Sequence, residues 1–150
     1  MLIYWIIALA IVIIDQLVKH WVTIAVALDQ AQIVVPGVLS LANIHNDGAA
    51  WSTLAGQQWL LSSISAIAVI VIGYLLVKRP KNAPIQGWGL AFMLAGAAGN
   101  LIDRLRLGYV VDMFQLEFVN FPIFNVADSA LTIGVLLIFI QLLREETAHK

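Results

Sequence analysis

Four stretches of this chain are each apolar enough to enter a hydrocarbon core, and a soluble fold of 150 residues has too little interior to bury them all. They run over residues 2–27, 59–77, 86–102 and 126–143. Crossing a bilayer takes roughly 20 helical residues, fewer where the membrane thins. The chain is 61% hydrophobic and only 11% charged, with a mean hydropathy of +0.92. Lipid is therefore the expected solvent for most of its outward side chains. These features predict an all-α membrane protein with four transmembrane helices. Residues 1–150 form one integral-membrane domain, with 28–58 and 103–125 as outer connections.

A net charge of −1 leaves no basic surplus for a nucleic-acid partner. The absence of cysteine excludes disulfides, thiolate metal sites and a cysteine nucleophile. The N-terminal run MLIYWIIALAIVIIDQLVKHW lacks a basic start and an A-x-A-like cleavage site, so it is expected to be a retained first span.

Basic residues set the expected orientation. Lys78, Arg79 and Lys81 fill the short second-to-third connection, and Arg144 and Lys150 follow the last span. Residues 28–58 contain no Lys or Arg. The positive-inside rule then puts both termini in the cytoplasm and the two longer connections outside. Arg104 and Arg106 oppose this bias and call for another reason. The outer segments QIVVPGVLSLANIHN and YVVDMFQLEFVNFPIF are rich in Val, Ile and Phe and read as short strands, able to pair into a small extracytoplasmic sheet.

With that topology, most polar groups embedded in apolar sequence fall at one depth. Asp15 and Lys19 lie in the outer half of the first span, Asn46 in the first outer connection, and Asn100, Asp103 and Arg104 at the outer end of the third. Asp112 precedes the fourth span and Asp128 opens it. Ionisable groups in lipid are expensive unless they face protein or water, so one shared site accounts for them economically.

Each also has a plainer reading. Asp15 and Lys19 are an i, i+4 pair, as fit to clamp helices as to do chemistry. Arg106 suits a snorkelling interface residue. Asn125 and Asp128 suit helix caps. Ala91, Ala95 and Gly99 recur every four residues, which suits a close-packing face that would position Asn100. His20 and His45 belong to no ligand pattern, and neither Ser129 nor Ser52 has an activating base nearby. Asp112 and Asp128 are harder to explain plainly. Folding their connection back would bring two carboxylates together, one protonated and one ionised, as peptide hydrolysis by an activated water requires.

Two other functions use the same residues. In a proton-coupled transporter Asp15, Lys19 and Asp128 would form a relay, but the second span is charge-free, the acids share one face, and no internal repeat is present. In a non-catalytic scaffold the acids would only cap helices. A presenilin-like protease is disfavoured because the Gly-x-Gly-Asp signature is missing.

Four motifs, in order along the whole chain, carry a family resemblance: DQLVK, NDGAAWS, GNLIDRLRLGYVVD and FNVADSALTIG. The chain resembles the lipoprotein signal peptidases (signal peptidase II) of the bacterial inner membrane. That resemblance implies a four-helix bundle with a small outer sheet, and an aspartic protease that cuts prolipoproteins before a diacylglyceryl-modified cysteine. It implies that Asp112 and Asp128 are the catalytic pair, supported by Asp15, Lys19, Asn46, Asn100, Asp103, Arg104 and Asn125. It further implies no metal or other cofactor, a monomer in membrane lipid, and inhibition by globomycin-type cyclic peptides. Trp51 stands where the family often has Phe, and Met113 where it has an aromatic; both swaps touch pocket shape only. On this reading Arg104 and Asn46 are expected to donate to substrate carbonyls, while Asn100 and Asn125 orient the carboxylates.

Overall fold

The computed structural model describes residues 1–48 and 53–148. The readings that concern Trp51, Ser52 and Lys150 lie outside them. The elements are α1 (Leu2–Ala25), β1 (Ala31–Val35), β2 (Leu39–Asn46), α2 (Gln58–Lys78), α3 (Pro84–Leu107), β3 (Val110–Leu116) and α4 (Val126–Ala148). All four helices are long and apolar enough to span a membrane. In lipid, each backbone N–H and C=O must be satisfied within the segment, so apolar runs rich in Ile and Val are helical despite their strand propensity.

Local chemistry sets the helix ends. Arg79 is extended (φ −54°, ψ 149°), as the residue before Pro80 must be, and it terminates α2. Pro84 opens α3, where its missing N–H costs nothing. Gly108 closes α3 in the left-handed region at φ 80°, with its N–H on the Arg104 carbonyl. Asn125 and Asp128 cap α4 reciprocally. The Asp128 N–H donates to Asn125 Oδ1 at 2.8 Å, and the Asn125 N–H donates to Asp128 Oδ2 at 3.2 Å.

Several boundaries differ from the sequence reading. The first span ends at Ala25 rather than 27, and α4 continues past 143 to Ala148 through Arg144 and Glu145. Helix α3 starts at Pro84 and runs to Leu107, so Asp103, Arg104 and Arg106 are helical and the second outer connection begins at Gly108, not 103. No helix breaker precedes Gly108, and neighbouring elements supply partners for the polar side chains. The segment YVVDMFQLEFVNFPIF is a strand only to Leu116. Its remainder loops out, and Phe124 returns through a bridge to Phe114.

Helix α3 is the central one, with half of its most apolar stretch buried, against 17–22% for the other three. Its N-terminal half packs Leu90, Ala91, Leu94 and Ala95 against Tyr4 and Ala8 of α1 and Ile72 and Leu76 of α2. Its contact with α4 runs instead along Gly89, Gly96 and Gly99. A methyl on Gly96 would collide with the Ala127 carbonyl, and one on Gly134 would collide with Met93. The Ala91, Ala95, Gly99 stripe is therefore split: the alanines serve the α1–α2 side, while Gly99 touches α1 and α4 together.

The sheet is antiparallel in the order β1-β2-β3. A second apolar cluster fixes it to the end of α1, where Val22 and Val26 meet Leu41, Val111 and Met113. That cluster sets where β3, and hence Asp112, sits.

Candidate active site

The C-terminal ends of α1 and α3 and the N-terminal end of α4 converge with β2 and β3 on one polar cluster. At its base Lys19 Nζ lies 2.9 Å from Asp15 Oδ2 and 2.8 Å from Asp103 Oδ2, with all three residues 3% exposed or less. A buried charge without a partner is prohibitively costly, so this triad is fixed. The same ammonium donates to Asn100 Oδ1 at 3.1 Å.

Both carboxylates of the triad also hold backbone. Asp15 Oδ1 accepts the Ala127 N–H at 2.8 Å, and Asp103 Oδ2 accepts the Val111 N–H at 3.2 Å. These N–H groups belong to the residues immediately before Asp128 and Asp112. The triad thus sets the backbone of both acids from a single lysine.

Amides hold the two upper carboxylates. Asn100 Nδ2 donates to Asp128 Oδ1 at 2.7 Å, and Asn125 Nδ2 donates to Asp112 Oδ1 at 2.7 Å. Asn125 Nδ2 also approaches Asn100 Oδ1 at 3.2 Å, which joins the two arms. Asn46 Nδ2 donates to Asp112 Oδ2 at 2.8 Å. One of its two amide hydrogens is thereby engaged with a carboxylate, a contact the sequence reading did not give it. Burial pushes the Asp112 carboxyl up from its ordinary 3.8 to about 6. The Asn46 bond opposes that rise, the neighbouring Asp128 charge adds to it, and the Asn125 bond opposes it again.

Arg104 reaches Gly48 O at 3.3 Å and Ser65 Oγ at 3.4 Å, linking α3 to β2 and α2. Its Nε is buried without a partner among the described residues. Arg104, Asn100, Asn46, Asp112 and Asp128 line a cleft of about 870 Å³. The opposite wall is apolar, made by Phe121, Pro122, Ile123 and Phe124 of the β3–α4 connection and by Leu131 and Ile133 of α4. Asp15, Lys19, Asp103 and Asn125 do not line it; they stand behind it. Among the described residues, no three His, Cys, Asp or Glu side chains are grouped to hold a metal ion.

Gln16 escaped the sequence reading, and His45 was set aside there as belonging to no ligand pattern. Gln16 Nε2 donates to Asp103 Oδ1 at 2.8 Å and approaches Asp15 Oδ2 at 3.2 Å and Gly99 O at 3.3 Å. Its signal was an amide beside an acid inside an apolar span. His45 lines the cleft and stacks on Tyr109 with ring centroids 3.8 Å apart. No spacing rule pairs a strand residue with one 64 positions later (109 − 45). Arg106, at the outer end of α3, makes one long contact to Gln16 Oε1 at 3.4 Å.

Known proteins resemble this chain in both sequence and overall fold. A family model described as signal peptidase (SPase) II matches residues 7–144. The lipoprotein signal peptidase of Latilactobacillus sakei is 54% identical over 150 residues, covering 99% of each chain. That of Lactiplantibacillus plantarum is 53% identical over the full length of both. A bacterial membrane enzyme structure obtained by the in meso method at 2.3 Å superposes with a TM-score of 0.93 at 36% identity, covering 98% of this chain and 91% of that one. A second, at 1.9 Å, gives 0.85 at 37% identity, covering 93% and 92%. The chain belongs to the signal peptidase II family, the membrane-embedded aspartic endopeptidases of lipoprotein maturation.

Proposed function

We propose that Asp112 and Asp128 are the catalytic pair, and that they hydrolyse the bond before the diacylglyceryl-modified cysteine of a prolipoprotein. The observation that carries this assignment is the Asn125 bridge. One asparagine donates its side-chain amide to Asp112 and its backbone N–H to Asp128, so both acids face one cleft in fixed relation. With Asp112 raised to about 6, the pair keeps a proton into the weakly acidic range, up to about pH 6. The ionised member takes a proton from the attacking water, and the protonated member donates to the carbonyl oxygen as the tetrahedral centre forms. Collapse of that centre returns a proton to the leaving amine.

The cleft also suits a substrate held in a leaflet. Its polar wall carries the acids, and its apolar wall is continuous with the lipid-facing side of α4. Arg104 Nε, buried and unpartnered among the described residues, is the donor we assign to a substrate carbonyl. Asn46, Asn100 and Asn125 hold the carboxylates, and Asp15, Lys19 and Asp103 hold the backbone behind them. We assign residues 1–150 to one domain, monomeric in the cytoplasmic (inner) membrane of a bacterium. Both termini and the Lys78-Arg79-Pro80-Lys81 loop face inward, by the positive-inside rule, and the acids lie at the outer surface. Globomycin-type peptides fit the same cleft as competitors.

The test is cleavage of a purified diacylglyceryl-modified prolipoprotein by the detergent-solubilised protein, alongside Asp112→Asn and Asp128→Asn. Each substitution should lower kcat by about 10²–10⁴-fold with the fold intact. Cleavage that survives both would mean other acids do the chemistry.

A further inference from the structure

The sheet and the connection after it expose apolar side chains that no other described residue covers. On the β1–β2 hairpin Ile33 is 70% exposed, Val34 56% and Val38 47%; on the β3–α4 connection Phe118 is 68%, Val119 45% and Phe121 49% exposed. These two arms meet at the same end of the sheet. Leu39 pairs with Leu116, and the Glu117 N–H donates to the Val38 carbonyl at 3.0 Å. Residues 31–46 carry no charge, and Glu117 is the sole charged residue in 117–123.

The second arm is held in place. Phe124 exchanges backbone bonds with Phe114, at 2.8 Å and 3.2 Å, and its ring packs on Phe114 and edge-on to Phe121. Phe121 also lines the cleft together with Leu131 and Ile133, which lie in the membrane-spanning α4. Those residues are five and seven positions into α4, about 8–10 Å along its axis from the start. Phe121 therefore shares one wall of the cleft with residues of the membrane-spanning α4. A rigid, uncharged patch of aromatic and β-branched side chains, continuous with a lipid-facing helix, matches the interfacial zone of a bilayer.

We infer that the β1–β2 turn and the Phe118–Phe121 loop form a two-armed anchor inserted in the outer leaflet. Its partner is the lipid surface itself. The anchor ties the sheet, and with it the Asp112 strand, to a fixed depth, so that the apolar wall of the cleft opens at acyl-chain level. This inference does not depend on which acids are catalytic.

The chain has no cysteine, so single labelling sites can be introduced freely. Phe118→Cys and Val34→Cys would each carry a polarity-sensitive fluorophore, with Phe139→Cys on α4 as the lipid-facing control and Asp29→Cys as the aqueous one. The full-length protein is reconstituted in phosphatidylcholine–phosphatidylglycerol vesicles containing lipid with a nitroxide high on the acyl chain. Labels at 118 and 34 should lose fluorescence to the nitroxide lipid and resist aqueous iodide, whereas the label at 29 should do the reverse. Iodide quenching at both 118 and 34 would overturn the anchor, and nitroxide quenching at only one would overturn its two-armed form. Shielding from both quenchers that grows with protein density would also overturn it, in favour of contact between copies. Because the readout is depth, a failure here is separable from a failure of the catalytic assignment.

Discussion

Lys19 on α1 and Asp103 on α3 form a buried ion pair of 2.8 Å, and both active-site backbones depend on it. Lys19 also neutralises Asp15, and the two acids grip the N–H groups of Val111 and Ala127. Lys19→Met would leave two carboxylates buried without a cation. Breaking a buried pair in this way costs about 3–5 kcal/mol. Thermal unfolding in detergent should show a large fall in Tm, and residual cleavage below the new transition should be strongly reduced. Retention of wild-type Tm would mean the triad contributes neither stability nor backbone position.

The pH dependence of cleavage should report Asp112. Its carboxyl is raised by burial from 3.8 to about 6, so one limb of the kcat/KM profile is expected near pH 6. The sign of the linked stability follows. The folded chain binds this proton more tightly than the unfolded one, so the contribution is full below 3.8 and lost as the pH rises through about 6. Asn46 donates to the ionised form and holds the value down. Asn46→Ala should therefore move the limb to higher pH, as measured by kcat/KM across pH 4.5–8. A limb that stays in place or moves to lower pH would contradict the contact.

The sequence made the four spans plain because spanning helices need long apolar runs, and a polar group inside such a run is conspicuous. Asp15 and Lys19 stood out against their surroundings for that reason. Less visible was where α3 ends. Arg104 and Arg106 resemble an exit from the membrane, yet the helix carries them to Leu107, because Gln16, Gly48 and Ser65, all remote in sequence, supply their partners. A remote partner also gave Asn46 a contact the sequence did not show, since its amide meets Asp112 only once β2 and β3 are in register. The split of the Ala91, Ala95, Gly99 stripe was hidden too, since a four-residue period says that a helix packs closely but not against which neighbour.

At Gly99, α3 lies against both Asp15 of α1 and Ala127 of α4. A methyl there would sit 2.8 Å from Asp15 Oδ2 and 3.0 Å from the Ala127 side chain. Gly73 on α2 offers a control, since its methyl would meet only the Trp5 ring, at 3.8 Å. Helix propensity favours alanine at both positions by up to about 1 kcal/mol. Gly73→Ala should thus be neutral or stabilising, whereas Gly99→Ala should lose about 1–3 kcal/mol to overpacking and displace the Ala127 N–H from Asp15. Paired melting curves and kcat measurements would separate them; equal behaviour would show that α4 can retreat without consequence.

Gln16 does not line the cleft, yet its amide is the third donor to the Asp103 side chain, at 2.8 Å on Oδ1, while Oδ2 serves Lys19 and the Val111 N–H. Removing that donor leaves a buried carboxylate oxygen unpaired, at a cost of about 1–3 kcal/mol. Asp103 is then held through Oδ2 alone, which loosens the reference for the start of β3 one residue before Asp112. Gln16→Leu keeps the volume and removes only the hydrogen bonds. It should lower kcat while leaving KM for the lipid-modified substrate unchanged, because no cleft contact is altered. A rise in KM with kcat preserved would instead place Gln16 in substrate binding. Restoration of kcat in Gln16→Asn would show that a shorter amide still reaches Asp103, whereas failure of both variants with a normal Tm would identify the reach of the glutamine as the positioning element.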